Sequence, residues 1–337
     1  MDKIDTFGKW FLVFKDRNEC CDGIIGVYNR DGHLQTRLYP HARYDGYSIL
    51  NEYLAESGVT GIFQGPTNTP GRLRQLKAFV AYLVTLPLRP PFRRLRLLSR
   101  GWPTSPLVVT KDRIAWRIFS EADTQKIAAR AKQDKVTLNA SLIAGLMKHL
   151  GPLWADNSGS IVTGLTVSLH KMVGIDKVPR NRFSIIDIRL DESVTAEEIN
   201  RRIHQSLRHD RHLASWVSYH LPDYLGDWFY RYFLLTINWF QNRNIVFTNV
   251  GEWSAGNGHA LFLIPPVFHY NPVSVGMIVW EGKLAISIQV HPHVDVSNVE
   301  IETIMDNWSS ELMRAVEIHF RESSATVSDL NCRRMPG

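Results

Sequence analysis

The stretch Pro40-His41-Ala42-Arg43-Tyr44-Asp45-Gly46 brings an imidazole, a carboxylate and a glycine close together in the chain. An unperturbed imidazole titrates near ~6.5, so a histidine here is able to take a proton from a reacting hydroxyl or amine and return it at neutral pH. A loop histidine satisfied by backbone is the plainer use of the same residue, and Asp45-Gly46 is also an ordinary turn dipeptide. A second cluster, His291-Pro292-His293-Val294-Asp295, holds two imidazoles and a carboxylate. That is zinc-ligand chemistry, but the sequence positions nothing else of ligand character beside it, and no metal is expected. Arg89, Arg93, Arg94, Arg96 and Arg100 form a basic run. It suits phosphate groups, an acidic protein face or anionic lipid, and equally a solvated connector. Cys20, Cys21 and Cys332 make neither a disulfide framework nor a CxxC zinc pattern.

These groups need elements to hold them. Trp10 to Phe14 and Gln35 to Tyr39 read as strands, with Asn29-Arg30-Asp31-Gly32 as a turn. The His41 segment then leads into helical spacing at Ile49, Leu50, Tyr53 and Leu54, so it occupies a strand-to-helix loop. Residues 65 to 106 are rich in proline and arginine and read as a crossover between two halves. Beyond it, Ser120 with Asp123 forms a capping box, Thr137 caps an apolar helix, and Thr195 opens another. Strands are expected at Ser160 to Leu169, Phe183 to Leu190 and Asn244 to Asn249. A hairpin over Ser274 to Val290 turns at Glu281-Gly282. A last helix is capped at Ser297, with Val299, Ile304, Met305, Trp308, Leu312 and Val316 inward. The pattern strand, histidine-bearing loop, helix occurs twice, at Gly32 to Leu54 and at Gly282 to Trp308. Mixed strands and helices predict an α/β (α+β) fold.

The chain has 337 residues, 44% hydrophobic and 21% charged, which excludes a disordered polymer and suffices for one large domain or two lobes. Its net charge is +6 with a pI of about 9.2, compatible with acidic or phosphorylated partners. No run reaches ~18 apolar residues, and the first residues lack a signal-peptide core, so a cytosolic protein is expected. Trp228 to Phe240 is aromatic-rich and reads as core, as an acyl channel or as a peripheral membrane contact. No helix-turn-helix, zinc finger or aromatic RNA-binding motif points to nucleic acid.

The His41 segment resembles the HHxxxDG motif of the superfamily that contains chloramphenicol acetyltransferase, peptide-synthetase condensation domains, plant acyltransferases and wax-ester synthases. Further matches follow in the family's order. Val136-Thr137-Leu138-Asn139 resembles a TxND helix start, and Val167-Ser168-Leu169-His170 the strand that usually ends in arginine. Asn181-Arg182-Phe183-Ser184 resembles the GN segment, and Thr248-Asn249-Val250-Gly251 the SNxxG strand end. Segment order is nearest to the wax-ester-synthase-like branch. The likeness runs from about position 35 to 319. Pro40 replaces the first motif histidine, and His170 stands where arginine is common.

The resemblance implies two chloramphenicol-acetyltransferase-like lobes around a central cleft. The first is reduced (residues 1–64), joined by the crossover (65–110) to the second (111–320), with a disordered tail (321–337). It implies transfer of an acyl group from a CoA or carrier-protein thioester to a hydroxyl or amine, with acyl-CoA or acyl-carrier protein as co-substrate and no permanently bound cofactor. His41 would be the general base, Asp45 the carboxylate that holds the loop, and Gly46 the turn into the helix. Thr248, and second Asn249, would support the transition state. Arg93, Arg94 and Arg96 would bind the donor's anionic groups. A small-molecule acceptor, an acyl donor and a carrier protein are the expected partners. Pro40 and the short first lobe also fit a non-catalytic relative that binds a carrier protein or acyl ligand.

Overall fold

The computed structural model describes residues 6–19, 22–29, 31–56, 71–85, 93–98, 103–107, 110–156, 159–169, 182–220, 226, 228, 243–256 and 258–314. Its framework is a six-stranded sheet in the order β3-β9-β8-β6-β4-β5. The strands are β3 (Ile114–Ile118), β4 (Ile161–Ser168), β5 (Phe183–Leu190), β6 (Ile245–Trp253), β8 (Val273–Trp280) and β9 (Lys283–Val290). β6 runs parallel to both of its neighbours, and the other pairs are antiparallel. Glu281 (φ 49) and Gly282 (φ 73) both adopt the left-handed region, as a two-residue hairpin turn between twisted strands demands.

Because side chains alternate across a strand, the sheet has two different faces. One carries Phe247, Val273, Val275, Met277, Leu284, Ile286 and Ile288, all buried. Four helices cover it: α4 (Glu121–Gln133), α5 (Leu138–Met147), α6 (Ala196–Arg208) and α8 (298–314). Their starts are chemically marked. Ser120, Thr137 and Thr195 each accept a hydrogen bond from the backbone N–H three residues on, and Ser297 does the same for Glu300. Trp308 of α8 is wholly buried, and its indole N–H donates to the Leu142 carbonyl at 3.0 Å.

The opposite face receives a three-stranded antiparallel sheet in the order β2-β1-β7. It consists of β1 (Asp22–Tyr28), β2 (Leu34–Pro40) and β7 (Ala260–Ile264), with α2 (Gly46–Glu56) packed on it. β7 lies directly on β8 and β9 because the residues beneath it are small. A Cβ at Gly276 would stand 2.1 Å from the Leu263 carbonyl oxygen. The Ser287 and Ser274 hydroxyls donate to the carbonyls of Leu263 and Pro265. Two backbone acceptors that would otherwise be buried without partners are thereby satisfied.

Several elements differ from the sequence reading. Residues Trp10 to Phe14, read as a strand, belong to a helix, α1 (Thr6–Lys15); Trp10, Phe11 and Phe14 share one helical face and bury together against Phe268. The crossover contains a helix, α3 (Arg72–Thr85), which packs on α7 (Arg211–His220) through Ala78, Leu213 and Ala214. β7 falls within the expected second lobe yet completes the sheet of the first, pairing with β1 from Ile24↔Ile264 to Tyr28↔Ala260. Val299, expected inward, is 73% exposed. Both hairpin-loop-helix units are present, β1-β2-α2 and β8-β9-α8, and a histidine directly follows the second strand in each: His41 and His291. Val316 and the tail from 321 lie outside the described residues, and so does most of 228–240. No helix among the described residues is long and apolar enough to cross a membrane.

Gly276→Ala should lower stability by about 2–3 kcal/mol or more, because the new methyl meets backbone that cannot rotate away. Gly151→Ala, whose added Cβ meets nothing within 4 Å, should stay within about 0.5 kcal/mol of the parent in urea denaturation. Equal midpoints for the two variants would show that β7 does not rest on β8 as described.

Candidate functional site

Strand alternation also builds the site. Thr166 and Ser168 on β4, Phe183 and Ile185 on β5, and Val246, Thr248 and Val250 on β6 point away from the four-helix face. The loop from His41 to Asp45 crosses above them. Two cavities open between loop and sheet. The first includes Asp45, Tyr47, Ser168 and Asn249, and the second includes Trp10, Phe14, Tyr219 and Arg243. His41, Thr166, Phe183 and Thr248 line both, so the imidazole stands at the wall between them.

Asp45 is 3% exposed and caps α2. Its Oδ1 accepts the Ser48 N–H at 2.8 Å, and its Oδ2 accepts the Arg182 N–H at 2.7 Å. One carboxylate therefore starts the helix and fastens the loop to the head of β5. A buried N–H left without a partner costs ~1–3 kcal/mol, more than the net gain from an average hydrogen bond, so both contacts constrain the loop strongly. Gly46 serves close approach: a Cβ there would come within 2.7 Å of Val250 Cγ1. Next to it, the Tyr47 phenol hydrogen-bonds with Ser168. Burial raises its pKa above the ordinary 10.0, with Asp45 adding to the rise and Ser168 opposing it, so the phenol stays protonated at neutral pH.

Thr248 lies on β6 just before an irregularity. Pairing with β8 shifts register between Asn249 and Glu252, and Gly251 takes φ 87, as bulges beside sites often do. Asn249 holds this turn. Its Oδ1 accepts the Gly251 N–H at 2.8 Å, and its amide donates to Asn139 Oδ1 on α5. Asn249 thus ties the bulge to α5, and the Thr248 side chain faces both cavities.

The roof over His41 is α1. The Phe11 ring stacks on the imidazole with centroids 4.2 Å apart and an interplanar angle of 15°, and Phe183 approaches from another side at 5.8 Å. Beyond the end of α1, Glu19 Oε2 meets His291 Nε2 at 3.0 Å, and Glu19 Oε1 accepts the His269 N–H at 3.2 Å. This buried pair anchors α1 to the loop after β9. Deeper in the second cavity, Arg243 lies across Gly164, where a Cβ would meet its Cδ at 2.6 Å, and pairs with Asp187. Burial works against the guanidinium charge, but the Asp187 carboxylate outweighs it and shifts the pKa upward, so Arg243 is cationic.

Solved structures share the fold. The cyclization-docking bidomain of a nonribosomal peptide synthetase from Sorangium cellulosum aligns with TM-score 0.57 and 12% identity over 85% of this chain and 61% of its own. The trichothecene 15-O-acetyltransferase of Fusarium sporotrichioides aligns with TM-score 0.57 and 11% identity over 84% of this chain and 65% of its own. The condensation domain of Monacolin K polyketide synthase aligns with TM-score 0.53 and 14% identity over 86% of this chain and 70% of its own. The chain has the fold of condensation-domain and chloramphenicol-acetyltransferase-like proteins. No family model and no curated protein matches the sequence. The chain spans under two thirds of the first two of these structures.

Within this condensation-domain-like fold, none of Arg93, Arg94 and Arg96 lines either cavity. Arg93 is 6% exposed, sits over the Trp154 ring and pairs with Glu192 at 2.6 Å, while its backbone N–H donates to the Ser160 carbonyl. Arg96 pairs with Asp295 and Glu300 and donates to the Pro152 carbonyl. The Arg93 backbone ties the crossover to Ser160 at the head of β4, whereas Ser168, at the strand's far end, lies in the first cavity with His41. At about 3.3 Å per strand residue that separation is roughly 26 Å. Arg94 is exposed. His170 and Asn181 lie outside the described residues. Sequence reasoning missed Tyr47, Thr166, Phe11 and Arg243. The period-two pattern of β4 and β5 could have placed Thr166, but nothing local announces which sheet face is hollow.

Asp45→Ala should destabilise the protein by about 2–4 kcal/mol, since a helix cap is lost and a second buried N–H is orphaned. Thermal or urea unfolding measures this, and stability equal to the parent would remove Asp45 from the role of loop anchor.

Proposed function

We propose that the chain is an acyltransferase that moves an acyl group from a CoA or carrier-protein thioester to a hydroxyl or amine, with His41 as general base. The observation that carries this reading is the position of His41 at the wall common to two cavities. A thioester entering from one side and an acceptor from the other would meet at the imidazole. His41 would take the acceptor's proton as its oxygen or nitrogen attacks the thioester carbonyl carbon. The tetrahedral oxyanion would be met by a hydroxyl donor, for which Thr248 is positioned on the strand below. Collapse would break the carbon–sulfur bond, and the imidazolium would return the proton to the leaving thiolate. The fold supports this chemistry at the level of acyl transfer or condensation. CoA and carrier-protein thioesters both remain within the reading.

The second cavity suits the apolar part of a substrate, because Trp10, Phe11, Phe14, Ile185 and Phe268 are among the residues that line it. Pro40 before His41, and the Phe11 ring parallel to the imidazole, favour a second reading in which the site binds an acyl ligand without turning it over. The two readings part in a thioester-consumption assay run over short, medium and long acyl chains. Acyl transfer predicts turnover that His41→Ala lowers by about 10²–10⁴-fold while ligand binding and unfolding stay close to the parent. Acyl-ligand binding with no thioester consumed at any chain length would establish the second reading instead.

A further inference from the structure

α3 has two apolar faces, and among the described residues only one is covered. Gln75, Ala78, Phe79 and Tyr82 turn toward the protein, where Ala78 is buried beside Leu213 and Ala214 of α7. The N-terminal turn is held by Arg74, which pairs with Asp210 at 2.6 Å. On the outer side Leu73, Leu76, Val80, Leu83 and Val84 are exposed by 66, 55, 52, 45 and 70%. At about 100° per residue these five side chains form one stripe roughly 100° wide, with exposed Arg72 on one flank and exposed Lys77 on the other. The helix RLRQLKAFVAYLVT contains no acidic residue. An apolar stripe edged by cations on both sides is the pattern of a helix lying in the headgroup region of an anionic bilayer.

We propose that the outer face of α3 docks on an anionic lipid surface, with Leu73, Leu76, Val80 and Leu83 entering the acyl boundary and Arg72 and Lys77 meeting lipid phosphates or carboxylates. Charge and size select this occupant. The chain carries a net charge of +6, which favours a negative surface. A second copy would set one acid-free helix against another, so no cross-helix ion pair could form. A helix of 14 residues is about 21 Å long, too short for its stripe to supply the ~800 Å² per partner of a standard protein interface. An interfacial helix needs only to sink its apolar face by about 5–10 Å. This docking is independent of the reaction proposed at His41.

The test is flotation of the full chain with vesicles of phosphatidylcholine alone and of phosphatidylcholine mixed with phosphatidylserine, beside light-scattering measurement of its mass in solution. The parent should float with the mixed vesicles, less so at high salt. The triple variant Leu73→Gln, Leu76→Gln, Val80→Gln alters only exposed positions, so it should keep the parent's unfolding midpoint while partitioning at least about tenfold less. Arg72→Gln with Lys77→Gln should reduce the preference for phosphatidylserine by about fivefold per charge removed. Absence of binding to the mixed vesicles would overturn the proposal. So would equal partitioning of the parent and triple variant, or a parent dimer that the triple variant converts to monomer.

Discussion

Everything at the site depends on how closely β7 approaches β8 and β9. A sheet strand laid face-on against another sheet normally stands about 10 Å away, separated by side chains. Here Gly276, Ser274 and Ser287 remove that spacing locally, and the two hydroxyls donate to the carbonyls of Leu263 in β7 and Pro265 just after it. Since β7 is hydrogen-bonded to β1, and β1 to β2, the whole small sheet is set by this contact. The loop after β2 then falls over β4 and β6, and Gly46 comes close enough to Val250 to leave no room for a methyl group. Remove the approach, and His41 loses the floor of both cavities.

A second level of constraint is polar. Asp45, Asn249, Glu19 and Arg243 each join segments far apart in the chain, and each does so in places where water would not readily substitute. The net stabilisation from any one hydrogen bond is only about 1 kcal/mol, but the penalty for leaving its partner buried and unmet is larger. Such contacts therefore discriminate between arrangements more than they add stability. The Glu19–His291 pair illustrates this. It secures α1 through the histidine that is the topological counterpart of His41, so the two hairpin-loop-helix units put equivalent residues to different uses: one facing the cavities, one locked in an ion-pair geometry.

The aromatic roof brings the same physics to the imidazole. Phe11 and Phe183 flank the half-buried His41 ring, and α1 lines the wider cavity with apolar surface. Apolar walls of this kind strengthen charge interactions made beside them, which would serve the base proposed at His41. The same enclosure would serve tight retention of an apolar ligand. In the crossover, Arg93 and Arg96 are engaged in internal pairs, whereas the outer side of α3 carries exposed apolar and basic residues together.

By itself the sequence determined the local chemistry. The helix caps at Ser120, Thr137, Thr195 and Ser297, the Glu281-Gly282 hairpin, the strands over 161–168 and 183–190, and a loop carrying His41 and Asp45 between strand and helix were all legible, because each depends on residues a few positions apart. The order of motif-like segments also pointed to the fold. Tertiary structure alone decided that Trp10 to Phe14 would be helical, since its aromatic residues bury against Phe268, Tyr219 and His41, all distant in the chain. It decided that β7 would leave its own half of the chain to complete the other sheet. It also supplied Glu192, Asp295 and Glu300 as partners for Arg93 and Arg96. Composition records that a charge is present, whereas only the packed chain determines whether that charge meets its partner inside the protein or remains on the surface.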